Sequence, residues 1–184
     1  MRKVIAAINM TLDGFCDHTA VIADEAMHDY YGDLLRSADV ALYGRITYQL
    51  MEYWKTVAEN PTGEKAMDDF AIDMDRIPKV VFTNTLQDVD WKTATIAKRN
   101  LKEEVLALRE QPGRDILVGS RSLIISLINL GLVDEFQVMV HPVIVGSGLR
   151  LFEMIADRTE LKLVKTKTFD FGAVMLYYSP PLKH

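Results

Sequence analysis

Three short segments of this chain combine glycine with hydroxyl or guanidinium side chains in a way that suits a phosphate: Gly119-Ser120-Arg121-Ser122, Gly44-Arg45-Ile46-Thr47 and Thr83-Asn84-Thr85. A helix N-terminus offers unpaired N–H donors and a partial positive charge, and glycine lets an anion approach them closely. For the first segment taken alone, anion binding and an economical strand-to-helix turn are equally good readings. In the second, the guanidinium of Arg45 and the hydroxyl of Thr47 add charge-assisted hydrogen bonds, the alternative being a solvated surface arginine. The usual nucleotide signatures are missing. There is no G-x-x-x-x-G-K-[ST], and Gly146-Ser147-Gly148 lacks the third glycine of a dinucleotide fingerprint and its place after a first strand. A dinucleotide site assembled from three loops fits better, with Lys79 and Arg121 next in line to Arg45 as phosphate cations.

Other reactive side chains promise less. His18, His28, His141 and His184 show no metal-ligand spacing, so no metal site is expected. Cys16 has no paired base in view and reads as an inert small hydrophobe. Asp13, in the turn Asp13-Gly14, is the candidate for handling a proton or orienting a substrate, its alternative being turn punctuation. Asp24 and Glu25 head an apolar periodic run and suit a cap or a dipole partner.

Those loops need strands and helices to hold them. The run Val4 to Ile8 reads as a buried first strand rather than a leader peptide. Met27, Tyr30, Tyr31, Leu34, Leu35 and Ala38 recur at helical spacing behind Asp24, and Val40 to Tyr43 is a strand ending at Gly44. Thr47, Leu50, Met51 and Trp54 share the next helical face. A helix over 64–75, a strand at Lys79 to Thr83, a strand near Thr93 to Ala97, a helix over 101–110 and the strand Asp115 to Val118 continue the alternation. Gly119-Ser120 opens a helix that Gly131 stops. Beyond it only strands are legible, at Phe136 to His141, Leu161 to Phe169 and Ala173 to Tyr178, with Asp170-Phe171-Gly172 as the turn of an antiparallel hairpin. The fold class is α/β, a mostly parallel central sheet flanked by helices with an antiparallel C-terminal hairpin edge, in one domain over 1–184. Met27, Tyr31, Met51 and Trp54 lie on faces turned toward the sheet's C-terminal edge and are the candidate substrate walls, core packing being the other reading.

Composition closes off several classes. Forty-nine per cent apolar and 26% charged residues exclude a disordered chain, and a net charge of -5 disfavours nucleic acid, whose affinity comes from clustered Lys and Arg. No stretch reaches the ~18 apolar residues of a membrane span. A single cysteine suits a reducing compartment, and cytoplasm is expected.

The same segments carry a resemblance. Ile5-Ala6-Ala7 with Leu12-Asp13-Gly14, Gly44-Arg45-Ile46-Thr47-Tyr48, Lys79 to Leu86, Val118 to Leu123, Gly131 to Glu135 and Pro142 to Gly148 together resemble the dihydrofolate reductase-like superfamily, in its branch shared with the reductase domain of the bifunctional riboflavin-biosynthesis deaminase-reductase. The resemblance implies a dihydrofolate reductase-like fold and an NADPH-dependent reductase acting on a small heterocyclic or carbonyl substrate, similar to 5-amino-6-(5-phosphoribosylamino)uracil reductase. It places Arg45 at the 2'-phosphate of NADPH, Thr47 and the backbone of Val118, Gly119, Ser120, Arg121, Ser122 and Leu123 at the pyrophosphate, Thr83, Asn84 and Thr85 at the adenosine ribose, and Ala7 and Gly14 at the nicotinamide. Dihydrofolate reductase proper and a nucleotide-binding module without turnover are the alternatives. A homodimer on the C-terminal strands is also expected, with Met139, Met175 and Tyr177 on the face that needs covering.

Overall fold

The computed structural model describes residues 1–181, so His184 lies outside the described residues. In chain order the elements are β1 (Val4–Thr11), α1 (Glu25–Ser37), β2 (Ala38–Gly44), α2 (Arg45–Glu59), α3 (Lys65–Arg76), β3 (Lys79–Phe82), β4 (Ala94–Ile96), α4 (Leu101–Glu110), β5 (Asp115–Val118), α5 (Arg121–Asn129), β6 (Glu135–His141), β7 (Lys162–Thr168) and β8 (Val174–Ser179). The eight strands form one sheet in the order β4-β3-β2-β5-β1-β6-β8-β7. From β4 to β6 all neighbours are parallel, and β8 runs antiparallel between β6 and β7.

Burial explains the sequence runs. One face, with Ile5, Ala7, Ala41, Tyr43 and Val81, packs under Leu34, Leu35, Phe70 and Met74 of α1 and α3. The other, with Val4, Ala6, Leu42, Ile116 and Val118, packs under Val105, Leu108, Ile124 and Leu127 of α4 and α5. Strands covered on both sides read as continuous apolar runs instead of alternating ones. The chain steps outward from β1 through β2 and β3 to β4, then returns to place β5 and β6 on either side of β1. Such a reversal opens a crevice beyond the carboxyl ends of the flanking strands.

Helix ends follow local chemistry. The Asp24 side chain accepts from the N–H of Ala26 at 2.8 Å, and that of Asn100 from Glu103 at 3.0 Å, so α1 and α4 are capped by side chains. At the end of α5, Gly131 has φ 64°, its N–H donates to the carbonyl of Ile128, and Leu132 N–H donates to that of Leu127. This pair of bonds closes the helix only if the glycine adopts the left-handed conformation.

The C-terminal strands correct one expectation. Met139 and Met175 are 0% exposed and Tyr177 is 6% exposed, covered by Met27 of α1 together with Phe169 and Ala173. Helices vanish from the local sequence pattern there, but α1, encoded more than a hundred residues earlier, reaches over β6 and β8 to close that face. The edge strand is what stays open: β7 is exposed throughout, with Leu163 at 50% and Val164 at 59%. No helix among the described residues is long and apolar enough to cross a membrane.

Gly131→Ala places a Cβ in the left-handed region and lowers stability by about 1 kcal/mol. A urea midpoint that falls at unchanged slope is the expected readout.

Candidate functional site

β2 and β5 are neighbours, so the loops that follow Gly44 and Val118 open side by side. Ser120 is 1% exposed, and its Oγ accepts from the N–H of Gly44 at 2.8 Å. A serine at this position ordinarily caps its own helix. Here the hydroxyl crosses to the other loop instead, and neither α5 nor α2 has a side-chain cap. The first-turn amides of both helices are thus left unclaimed by side chains at adjacent positions. Glycine keeps the two loops close. A Cβ on Gly44 would stand 3.3 Å from Ser122 Oγ, and one on Gly119 would lie 3.7 Å from the Ala7 carbonyl oxygen.

Beside these helix starts lies a cavity of about 580 Å³, lined by Arg45, Phe82, Thr83, Asn84, Thr85, Ala97, Arg99, Asn100 and Leu101. It brings Arg45 together with the loop after β3, as the three-loop arrangement requires. Arg99 is a second guanidinium there that sequence reading missed; its signal was the charged pair Lys98-Arg99 just before the cap Asn100. Arg45 donates to the neutral Gln49 Oε1 at 3.0 Å, and Arg99 stands 3.5 Å from Glu104. Thr83 Oγ1 accepts from the N–H groups of Thr85 and Leu86 at 3.1 and 3.0 Å, so this hydroxyl shapes the loop. Thr47 is half-buried in the first turn of α2.

Several other candidates are placed differently. Arg121 donates to the Arg150 carbonyl and pairs with Glu153 at 3.0 Å, so its guanidinium pins the 150–153 segment and only its backbone faces the loop. Val118 and Leu123 are buried and likewise offer only backbone. Lys79 is 1% exposed, its ammonium donating at 2.8 Å to both the Ile77 carbonyl and Thr93 Oγ1, 4.0 Å above the Trp91 ring. Burial lowers its pKa to about 8, and with its donors spent inside it does not face the crevice. Ala7 is buried on β1 just past its pairing with β5, and Gly14 turns the chain after β1 with φ 91°.

Asp13 accepts from Thr11 Oγ1 at 2.7 Å and from the backbone N–H groups of Gly146 and Val145 at 2.7 and 3.1 Å. The Thr11 hydroxyl chiefly, with those two amides, holds its carboxyl below the usual range. A carboxylate so held clasps the 143–146 loop and is a poor proton donor near neutrality. Met27 is spent in the core, while Tyr31, Met51 and Trp54 are half-buried, Trp54 packing edge-on to Phe70 at 4.6 Å. The Tyr31 hydroxyl donates to Asn9 Oδ1 at 3.1 Å, and His141 Nε2 lies 3.0 Å from the same oxygen. Asn9 and His141 were not singled out as site residues from sequence, where Asn9 falls just past the run read as the first strand and His141 reads as the end of another strand, without metal-ligand spacing.

A parallel sheet with an antiparallel edge, helices on both faces and a ligand crevice at the strand reversal define a dihydrofolate reductase-like α/β domain. Dihydrofolate reductase from Enterococcus faecalis, complexed with NADP(H), shares the fold with a TM-score of 0.63 at 14% identity, over 97% of this chain and 96% of that one. The chain belongs to the RibD C-terminal domain family, which matches residues 2–175. It is 37% identical to the uncharacterized protein YyaP of Bacillus subtilis, over 96% of this chain and 94% of that protein. A protein of Shewanella sp. PV-4 assigned to riboflavin biosynthesis superposes with a TM-score of 0.75 at 17% identity, over 99% and 100% of the two chains. The diaminohydroxyphosphoribosylaminopyrimidine deaminase/5-amino-6-(5-phosphoribosylamino)uracil reductase of Thermotoga maritima does so at 0.64 and 14% identity, over 98% of this chain and 57% of that longer one.

Cys16 donates from Sγ to the Leu149 carbonyl at 3.4 Å, and burial pushes its thiol up to about 11. Alkylation by iodoacetamide at pH 8 is expected to run on the order of a hundredfold slower than for a free thiol, and to accelerate only as pH approaches that value.

Proposed function

We propose that this chain is an NADPH-dependent reductase that delivers hydride to a small heterocycle of pyrimidine or pterin type, or to a carbonyl compound, in the manner of 5-amino-6-(5-phosphoribosylamino)uracil reductase. The observation that carries it is the pair of adjacent helix starts without side-chain caps beside a cavity bearing two guanidiniums. Unclaimed amides suit a pyrophosphate, and a guanidinium suits the further phosphate that distinguishes NADPH from NADH. In this reading Arg45 and Arg99 hold the 2'-phosphate and Thr83 to Thr85 border the ribose. Thr47 and the backbone of 118–123 take the pyrophosphate, and Ala7 and Gly14 border the nicotinamide. The bound cofactor supplies the hydride, while the protein's part is orientation and electrostatics. Fold kinship with the Thermotoga maritima reductase and with the NADP(H)-bound Enterococcus faecalis enzyme supports the assignment.

The exposed edge strand β7 supports a homodimer, since a two-fold pairing there would cover Leu163 and Val164 on both copies at once. The lone thiol accords with residence in the cytoplasm.

Arg45→Ala is expected to weaken NADPH by about 1.5 to 3 kcal/mol in calorimetry while leaving NADH nearly unchanged, and Arg99→Ala to follow the same pattern. Equal NADPH affinity in wild type and both variants removes the cavity from the cofactor site. Sedimentation equilibrium is expected to show a concentration-dependent species at twice the 20.9 kDa chain mass. A concentration-independent monomer would mean the β7 edge stays solvated.

A further inference from the structure

β1 and β5 part company early. Their pairing ends at Ala6 opposite Val118, whereas β1 stays paired with β6 as far as Thr11. One flank of residues 7–11 therefore borders the crevice at the strand reversal, and Asn9 lies on it, half-buried, on the face roofed by α1.

The carboxamide of Asn9 is not free to turn. His141 is 0% exposed, and its Nδ1 accepts from the N–H of Ile22 at 3.3 Å. A neutral ring that accepts at Nδ1 carries its proton on Nε2, so Nε2 donates to Asn9 Oδ1 at 3.0 Å. Burial favours that neutral ring by lowering the histidine pKa. Tyr31 gives the same oxygen a second donor at 3.1 Å. Both lone pairs of Oδ1 are engaged, which fixes which end of the amide is which. Nδ2 makes no side-chain hydrogen bond among the described residues, and its two N–H donors are left for whatever enters the crevice.

We propose that Asn9 is the specificity-determining residue of the reductase, donating from Nδ2 to a ring carbonyl oxygen or unprotonated ring nitrogen of a pyrimidine-like substrate, with Tyr31 and His141 as positioning residues. The inference rests on the reductase reading above, because only that reading puts the substrate at this end of β1. A carboxamide whose oxygen is locked offers donors alone, so the matching edge of the substrate must present an acceptor. A molecule that places a donor there leaves two donors facing each other, and a site built for a hydrogen bond rejects such a molecule strongly.

The test uses the full chain loaded with NADP+ and uracil as the probe, followed by NMR of the Asn9 side-chain amide. Uracil is expected to shift the Asn9 Nδ2 proton resonances in the wild type. Asn9→Asp keeps an acceptor for both Tyr31 and His141 but removes the donors, and should bind uracil at least about tenfold more weakly while NADP+ affinity stays within about threefold. Tyr31→Phe should broaden the Asn9 amide resonances and weaken uracil by a smaller factor, an effect that a purely structural tyrosine would not produce. An unshifted Asn9 amide in the wild type, or uracil binding to Asn9→Asp as to wild type, overturns the proposal. Failure of NADP+ itself to shift the backbone amides of Gly119 and Ser122 in the wild type is a separate result, and it overturns the reductase reading together with this one.

Discussion

The hydrogen bond from the Gly44 N–H to the buried Ser120 hydroxyl ties two βα loops into one surface, and the geometry of the site follows from it. One hydroxyl can cap its own helix or brace its neighbour, not both. By bracing, Ser120 satisfies a buried amide whose isolation would cost about 1 to 3 kcal/mol. It also leaves the amides of α2 and α5 without a side-chain partner at a single place. The bond needs the loops in near contact, which is why position 44 has no room for even a methyl group without displacing Ser122. Stability and an anion-shaped surface thus come from the same contact.

Charge is distributed to the same end. The chain is net acidic, and four of its arginines are consumed by carboxylates that fasten loops and helix ends: Arg36 to Asp33 and Asp73, Arg109 to Asp134, Arg114 to Asp39, Arg121 to Glu153. Arg45 and Arg99 differ. One leans on a neutral amide and the other on a carboxylate at the long end of ion-pair range, so both can turn to an incoming anion with little to give up. The contrast matters more than net charge, which by itself says nothing about where a phosphate would go.

Nearly every element was legible in the sequence because each carries its own punctuation: Asp24 as a cap, Gly131 as a stop, and β-branched runs between Pro, Gly and Asn. The paired loops at Gly44 and Gly119 were legible for the same local reason. What could not be read depends on tertiary placement. Nothing around Met139 or Met175 announces that α1 lies over them, and nothing in the turn Asp13-Gly14 announces that a loop 130 residues later donates two amides to that carboxylate. Arg99 and Lys79 show the limit from both sides. Each is a cation beside a strand, and only packing puts the first at a cavity and the second over the Trp91 ring.

The crevice owes its depth to a mismatch of strand lengths. β5 has four residues and β1 has eight, and the part of β1 that outruns its neighbour spans roughly 16 Å at the usual rise per residue. The opening is therefore not a void carved from the core, and no packed side chain had to be shortened to make it. A change at Asn9 can alter what the crevice accepts while the hydrophobic layers beneath keep their shape. Inserting residues into β5, by contrast, would fill the opening with backbone. In such a fold, the length of one short strand shapes the site, and its sequence serves the packing.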